Sequence, residues 1–329
     1  MRNAQGRCHS RSKSKVLPGA RSVSMLIAIT SLATACNAAG PAASTSDLSA
    51  QQLVDLAVSG QTISIPASAK GAIRIYDKKF PEPVTIDMSH ANVSAVIVRR
   101  SRNLKILNGR VTGNNTRGSF GIIIENSQEI EVSNVTVTQA QAGIWIRTSQ
   151  DVLLSGNHVT DLISDGIMLT SSQRVKVYNN TCSNFHPLPK TFDEQGNQIE
   201  DGDHPDCIQG WSVPDYAPMS DLEVVGNRGD GDFQGVFLNN PMAGGRGYDR
   251  VTVTDNVMRI GWYHGVYLED VRGGLVTRNS IRPNGRRDIR GKVFDRPVRP
   301  YITILTSTNI KACGNVVTEF PTGEGTKRC

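Results

Sequence analysis

Three residues of types that move protons occupy one recurring place in this sequence. Asp165, Asp206 and His264 each stand immediately before a string that opens on a small residue and continues apolar-x-apolar or close to it: Gly166-Ile167-Met168-Leu169, Cys207-Ile208-Gln209-Gly210 and Gly265-Val266-Tyr267-Leu268. The same string follows Phe120, Ala142 and Gln234. Two carboxylates can divide into an acid and a base, and an imidazole titrates near neutrality, so acid–base catalysis is the chemistry open to this set. The x positions carry Trp145, Met168, Gln209, Phe237 and Tyr267. Aromatic faces beside carboxylates and amides, Gln209 and Gln234 among them, suit a sugar: rings stack, and polar groups take hydroxyls and protons.

Such residues meet only if the strings stack. Between them lies a second motif, an alternating segment closing on Asn, as in Ile130–Asn134, Val152–Asn157, Val175–Asn180, Leu222–Asn227 and Val251–Asn256, and more weakly up to Asn279 and Asn315. Alternation with period 2 identifies strands. Short strands recurring about every 23 residues, with no helical segment between them, leave no room for βαβ units. Each turn must then bury its apolar face on the turns above and below, which defines a solenoid. A recurring Asn tolerates left-handed backbone and bonds neighbouring main chain, so stacked copies form a ladder at one corner. Neighbouring turns lie ~4.8 Å apart, which makes Asp165 and Asp206 adjacent and sets His264 two turns beyond. Ser49-x-x-Gln52 reads as a capping box, with Leu48 and Leu53 as its staple and Gly60 as the stop, predicting a short helix near 49–59 over the first turn.

Over about residues 70–320 the repeat resembles the right-handed parallel β-helix (pectin-lyase-like) superfamily. The resemblance implies an all-β fold, a single-stranded right-handed parallel β-helix of about nine or ten turns. Ser164-Asp165-Gly166-Ile167 and His204-Pro205-Asp206-Cys207-Ile208 are similar to two strings of the polygalacturonases. That implies catalytic aspartates at Asp165 and Asp206, with Pro205 where the family has a second acid and His204 as the nearest remaining proton carrier. The family's Gly-His-Gly turn falls on Phe233-Gln234-Gly235, and His264-Gly265 arrives one turn late.

Two loops interrupt the repeat. Residues 185–206 carry Asp193, Glu194, Glu200, Asp201, Asp203 and Asp206 against Lys190 alone. Oxygen-rich stretches of this kind can bind Ca²⁺, with Asp201 and Asp203 as candidate ligands, although no calcium-loop spacing is present and a solvated loop is the plainer reading. Residues 282–299 hold Arg282, Arg286, Arg287, Arg290, Lys292, Arg296 and Arg299 against two aspartates. Guanidinium forks at Arg282, Arg286 and Arg287 could clamp substrate carboxylates.

The formal charge of +6 is misleading. Arg2, Arg7, Arg11, Lys13, Lys15 and Arg21 precede an apolar run from Met25 to Leu32 and the small residues Ala33-Thr34-Ala35. This is the layout of a secretory signal over residues 1–35, too short to span a bilayer. Without those six bases the charge balances, and a general nucleic-acid role loses its support. Residues 36–46 read as a flexible tether and 47–329 as the β-helix domain, exported to the periplasm or medium as a monomer. Leu32-Ala33-Thr34-Ala35-Cys36 also resembles a lipoprotein cleavage site, which makes Cys36 a lipid-anchor candidate. Export permits a Cys313–Cys329 bridge, while Cys182, at an apolar repeat position, reads as a buried hydrophobe. The expected reaction is cleavage of an acidic, uronate-containing polysaccharide by β-elimination, with His264 as base and Ca²⁺ or the Arg-rich loop as carboxylate neutraliser. Inverting hydrolysis by Asp165 and Asp206, uronate epimerisation and glycan binding without catalysis are the rivals.

Overall fold

Each turn of the chain lays down three short strands and pairs every one with its counterpart a turn away. The computed structural model describes residues 49–289 and 292–317. The proposed signal and tether, Cys36, Leu48, Arg290 and Cys329 lie outside them. Three parallel sheets form, of nine, ten and nine strands. Sheet I runs from Ile73–Tyr76 to Tyr301–Leu305, sheet II from Thr62–Ser64 to Thr308–Cys313, and sheet III from Asn92–Val93 to Val316–Val317. A turn visits them in that order, as Phe120–Glu125, Gln128–Ser133 and Thr136–Thr138 do. The result is the predicted all-β right-handed parallel β-helix, with about nine turns.

Alternation fills the interior. Ile122, Ile144, Ile167, Ile208, Val236 and Val266 stand opposite one another in sheet I, all at 0% exposure. Burying each such side chain contributes ~1.5–3 kcal/mol. The residue before each is glycine in every one of these turns but that of Ile208, because a side chain there would meet sheet III or the next turn's backbone: a Cβ on Gly121 would lie 2.1 Å from Val137 Cγ1, and one on Gly235 2.1 Å from the Gly265 carbonyl oxygen. Cys207 takes this place in its turn and is disulfide-bonded to Cys182, 25 residues earlier. Cys182 is therefore not the free buried hydrophobe its repeat position suggests. Its sheet III position faces the glycine column, which is where Cys207 supplies a partner sulfur.

The Asn ladder forms between sheets II and III. Asn157, Asn180, Asn227, Asn256 and Asn279 are buried; each donates its amide to the next Oδ1 at 2.9–3.0 Å, and Asn315 accepts from Asn279. Asn134, expected to belong, sits one column earlier. Thr136 pairs with His158, so Val135, not Asn134, precedes the Asn157 rung and donates its N–H to Asn157 Oδ1. Asn134 instead shares the left-handed backbone of Gly156, Asn179, Gly226 and Asp255. Left-handed backbone and amide ladder are thus separate neighbouring columns. A serine ladder, which the repeat pattern did not announce, closes the corner between sheets I and II through Ser101, Ser127, Ser149 and Ser172.

The N-terminal helix spans Ala50–Asp55, shorter than predicted, with the Ser49–Gln52 capping box made in both directions. It ends at Leu56, where the chain turns toward the first sheet II strand, and Gly60 (φ +76°) serves the following turn. Val54 is buried, and Ala50, Leu53 and Ala57 pack on the core. Gln51 donates to the Arg74 carbonyl and accepts from the Arg74 N–H, both at 2.8 Å. Its amide occupies hydrogen-bonding groups that a preceding strand would have taken.

Candidate active site

The chain passes from sheet III to sheet I through a corner of variable length. Most turns cross it tersely, as 139–141 and 261–263 do, whereas 184–205 and 284–300 are long excursions. The column read from the sequence forms at the end of this corner. Ala142 stands opposite Phe120, Asp206 opposite Gln234, and His264 opposite Tyr301. Asp165 lies between Ala142 and Asp206, because its carbonyl accepts from Gly143 N–H at 2.9 Å while Gly166 N–H donates to the Asp206 carbonyl at 2.8 Å. Trp145, Met168, Gln209, Phe237 and Tyr267 stack as the next column that faces away from the core.

Asp165 and Asp206 are built as a coupled acid pair. Asp206 N–H donates to Asp165 Oδ1 at 2.9 Å, and Ser164 Oγ donates to Oδ2 at 3.4 Å. Burial pushes the Asp165 carboxyl up to about 7; these two hydrogen bonds pull it down, and the Asp203 charge adds a push upward. Asp206 is raised well above the ordinary range, first by burial and then by Asp165. It is fully enclosed at 0% exposure, not at a groove edge, and neither of its oxygens has a hydrogen-bond partner. A carboxylate left bare in this way is strongly penalised, so the pair holds at least one proton near neutrality.

His264 is partly buried among rings: Tyr267 at 4.9 Å, Phe237 at 5.1 Å and Tyr301 at 5.4 Å between centroids. Burial lowers its pKa to about 4, so the imidazole is neutral at physiological pH, and Nδ1 has no partner. Trp262 Nε1, two residues away, is also buried and unbonded. Asp206, Trp262 and His264 thus supply four of the five orphaned buried side-chain atoms among the described residues. Such groups are rare in folded proteins, and here they concentrate at one corner.

The acidic excursion folds back against the pair. Asp203 is buried, accepts from Leu188 N–H at 3.0 Å and faces Arg117 at 3.5 Å, while Glu200 lies 4.0 Å from the same guanidinium. Asp201 pairs with Lys190 at 2.8 Å and with His204 at 3.2 Å, and the His204 ring lies 6.0 Å from that of Trp262. Asp201 and Asp203 therefore answer different cations, and no cluster of three metal-ligating side chains forms among the described residues. This donor set does not fit a Ca²⁺ cage. Nor do the three arginines act together. Arg286 is spent on Asp232 at 2.5 Å, Arg282 lies on the sheet III strand Ser280–Pro283 beside Arg259, and Arg287 is exposed.

Trp145 gathers neighbours that the sequence reading did not name, and Tyr301 and Arg117 join the site from outside that reading. Trp145 stacks with Phe120 at 5.0 Å, lies 6.4 Å from Trp211, carries the Arg147 guanidinium 4.4 Å above its ring, and donates to Thr170 Oγ1 at 3.0 Å. Trp211 was findable, two residues beyond Gln209 by alternation. Tyr301 was not: the register shifts between His264 and Val266, and its strand lacks the small residue that marks the others. Arg117 lies on a loop from an earlier turn, and no local pattern links it to Asp203.

A family model described as a right handed beta helix region matches residues 94–207. No curated protein matches the chain. Among solved structures it resembles an alginate lyase from Paenibacillus sp. str. FPU-7, at 14% identity and a TM-score of 0.40, covering 85% of this chain and 97% of that one. It also resembles a Family 28 exopolygalacturonase from Yersinia enterocolitica (12%, 0.46, covering 84% and 73%). A third is the mannuronan C-5 epimerase AlgE6 A-module from Azotobacter vinelandii (10%, 0.44, covering 85% and 92%). At such identities these are likenesses of scaffold. Three stacked parallel sheets and the matched repeat region make the chain a right-handed parallel β-helix.

Proposed function

We propose that this is an exported enzyme that cleaves a uronate-containing polysaccharide by β-elimination, with His264 as the base. The observation that carries the reading is His264 itself: a neutral imidazole with an unbonded Nδ1, walled by Phe237, Tyr267 and Tyr301. β-Elimination needs a base that is unprotonated at working pH and a group that quiets the carboxylate adjacent to the abstracted proton. The aromatic wall offers the sugar ring a face, and His264 takes the C5 proton. The Asp165–Asp206 pair still holds a proton near neutrality and serves as donor to the uronate carboxylate or to the departing O4, through Asp165, the member that keeps slight exposure. With Arg286 engaged by Asp232, that donor assumes the neutralising task that the arginine loop would otherwise serve. The buried Cys182–Cys207 disulfide fits an oxidising compartment.

One observation favours a second reading. Two carboxyls on adjacent turns, one biased toward its protonated form by the other, can serve as the acid and base of an inverting hydrolase, with Asp165 and Asp206 in those roles. The reaction products decide between the two. Incubation with a panel of acidic and neutral polysaccharides, followed by mass analysis, separates the readings: elimination leaves an unsaturated uronate at no gain in mass, whereas hydrolysis adds water. An unchanged panel would overturn both.

A further inference from the structure

Asp206 reaches its place at the end of the longest excursion in the described chain, residues 184–205, whereas its neighbours in the column arrive through short corners. A long tether alone positions its far end poorly, because the loop gives up conformational freedom to do so. The disulfide Cys182–Cys207 spans the base of this excursion. Cys182 is the middle residue of the sheet III strand Thr181–Ser183, and Cys207 follows Asp206 directly in the sheet I strand Asp206–Trp211. Both are buried, with Cα atoms 5.6 Å apart.

The preceding turn joins the equivalent two positions, Val159 in sheet III and Gly166 after Asp165 in sheet I, without a covalent bond: a Cβ on Gly166 would lie 3.1 Å from Val159 Cγ2. Across that short corner an apolar side chain against glycine suffices. Among the described residues, the turn that replaces this packing with a disulfide is the one that must deliver an unsolvated acid after a detour.

We propose that Cys182 and Cys207 are positioning residues, whose disulfide holds the Asp206 end of the 184–205 excursion in register with Asp165 and Gln234 and so makes catalysis depend on the oxidised pair. This rests on the function proposed above. Reduction is a two-electron exchange: a dithiol reagent gives up two electrons and two protons, the S–S bond becomes two cysteine thiols, and the reagent closes to its own disulfide. The strand stays hydrogen-bonded to both neighbours, but the Asp206 end, held by its N–H on Asp165 and its carbonyl on Gly166, then loses its covalent clamp to sheet III.

The glycine turns supply the test. In the full chain, the double variant C182V/C207G recreates the pairing of Val159 with Gly166 and removes the bond without a buried polar remnant. Expected are an unchanged circular dichroism spectrum, a KM within a few-fold of wild type, and a kcat lower by on the order of 10- to 100-fold, the usual result of a small misplacement at a reacting group. Amide exchange at Asp206, whose N–H is bonded to Asp165, should accelerate while Ile144 and Val236 keep their protection. Wild type reduced by a dithiol under mild denaturant and returned to buffer with both thiols counted should behave alike. Wild-type kcat together with unaltered exchange at Asp206 would overturn the proposal. Exchange is read without substrate, so a protein inert toward every polysaccharide refutes the enzymatic reading while the positioning role is still judged.

Discussion

The Asp206 carboxyl has no hydrogen-bond partner and no solvent, and His264 has an unbonded nitrogen, so replacing either side chain should leave the fold intact and remove chemistry. Asp206→Asn keeps the shape of a protonated carboxyl. Turnover should fall at least ~100-fold in Asp206→Asn and in His264→Ala, the scale of a positioned acid or base, as read by initial rates on the polymer cleaved. Asp165→Asn separates the chemistries: as damaging as Asp206→Asn in a hydrolase, milder in a lyase that relies on His264. The pH profile follows from the same groups. With a neutral base above about 4 and a protonated acid below about 7, activity should trace a bell between those limits, as a property of the coupled set. Stability carries opposite signs. Folded Asp165 keeps its proton to about 7 against 3.8 unfolded, so its contribution is full at the acid end and is lost as pH rises through 7. His264 stays neutral to about 4 against 6.5, so it destabilises increasingly as pH falls from 6.5 toward 4. In melting temperature against pH, the Asp165 contribution should be lost between about 4 and about 7, against the opposite slope of His264, and Asp165→Asn should remove that part of the profile. That Asp165 and Asp206 are neighbours was legible from a repeat step, because strand register converts sequence spacing into contact. That Asp206 is sealed was not, since loop 184–205 follows no period.

Among the elements, the corners carry more information than the strands. Asn227 is fully buried, donates to Asn256 and to the Val177 carbonyl, and accepts from Asn180. Asn227→Ala strands these partners, and at ~1–3 kcal/mol for each unsatisfied group it should lower the melting temperature markedly. Asn134→Gly should be nearly neutral or mildly stabilising, because that position asks only for left-handed backbone (φ +58°), which Gly156 and Gly226 already supply in the same column. Equal losses in the two variants would contradict the separation of ladder from turn. The sequence showed a recurrent Asn but not which of two adjacent columns each copy joins, since an offset of one residue is invisible without the pairing of Thr136 with His158. Loop contents were less readable still: the acidic run allowed Ca²⁺ beside the plainer solvated loop, and nothing local showed that Lys190 and Arg117 pair with its carboxylates.

At the scale of the molecule, rings flank the acid pair on both sides along sheet I. Phe120, Trp145 and Trp211 cluster toward the first turns, while Phe237, Tyr267 and Tyr301 line the last. Trp145→Ala and Tyr267→Ala should each raise KM several-fold with kcat little altered, and on oligosaccharides of defined length they should shift the cut in opposite directions. An equal shift in one direction would place the whole binding strip on one side of the acids.

The amide of Gln51 on Arg74 has a consequence of another kind. A stack of identical sheets with a constant step has no geometric reason to stop, and a bare first rung offers the same N–H and C=O row that every internal rung uses. Gln51 and the helix behind it terminate that row with a side chain, where another molecule's last rung would otherwise dock by translation along the axis. A contact of that sort is head-to-tail and does not close on itself. Deleting residues 49–56 should therefore convert a discrete particle into filaments whose length grows with concentration, visible by light scattering and electron microscopy, while Gln51→Ala alone, with Val54 still plugging the end, should do so slowly or only at high concentration.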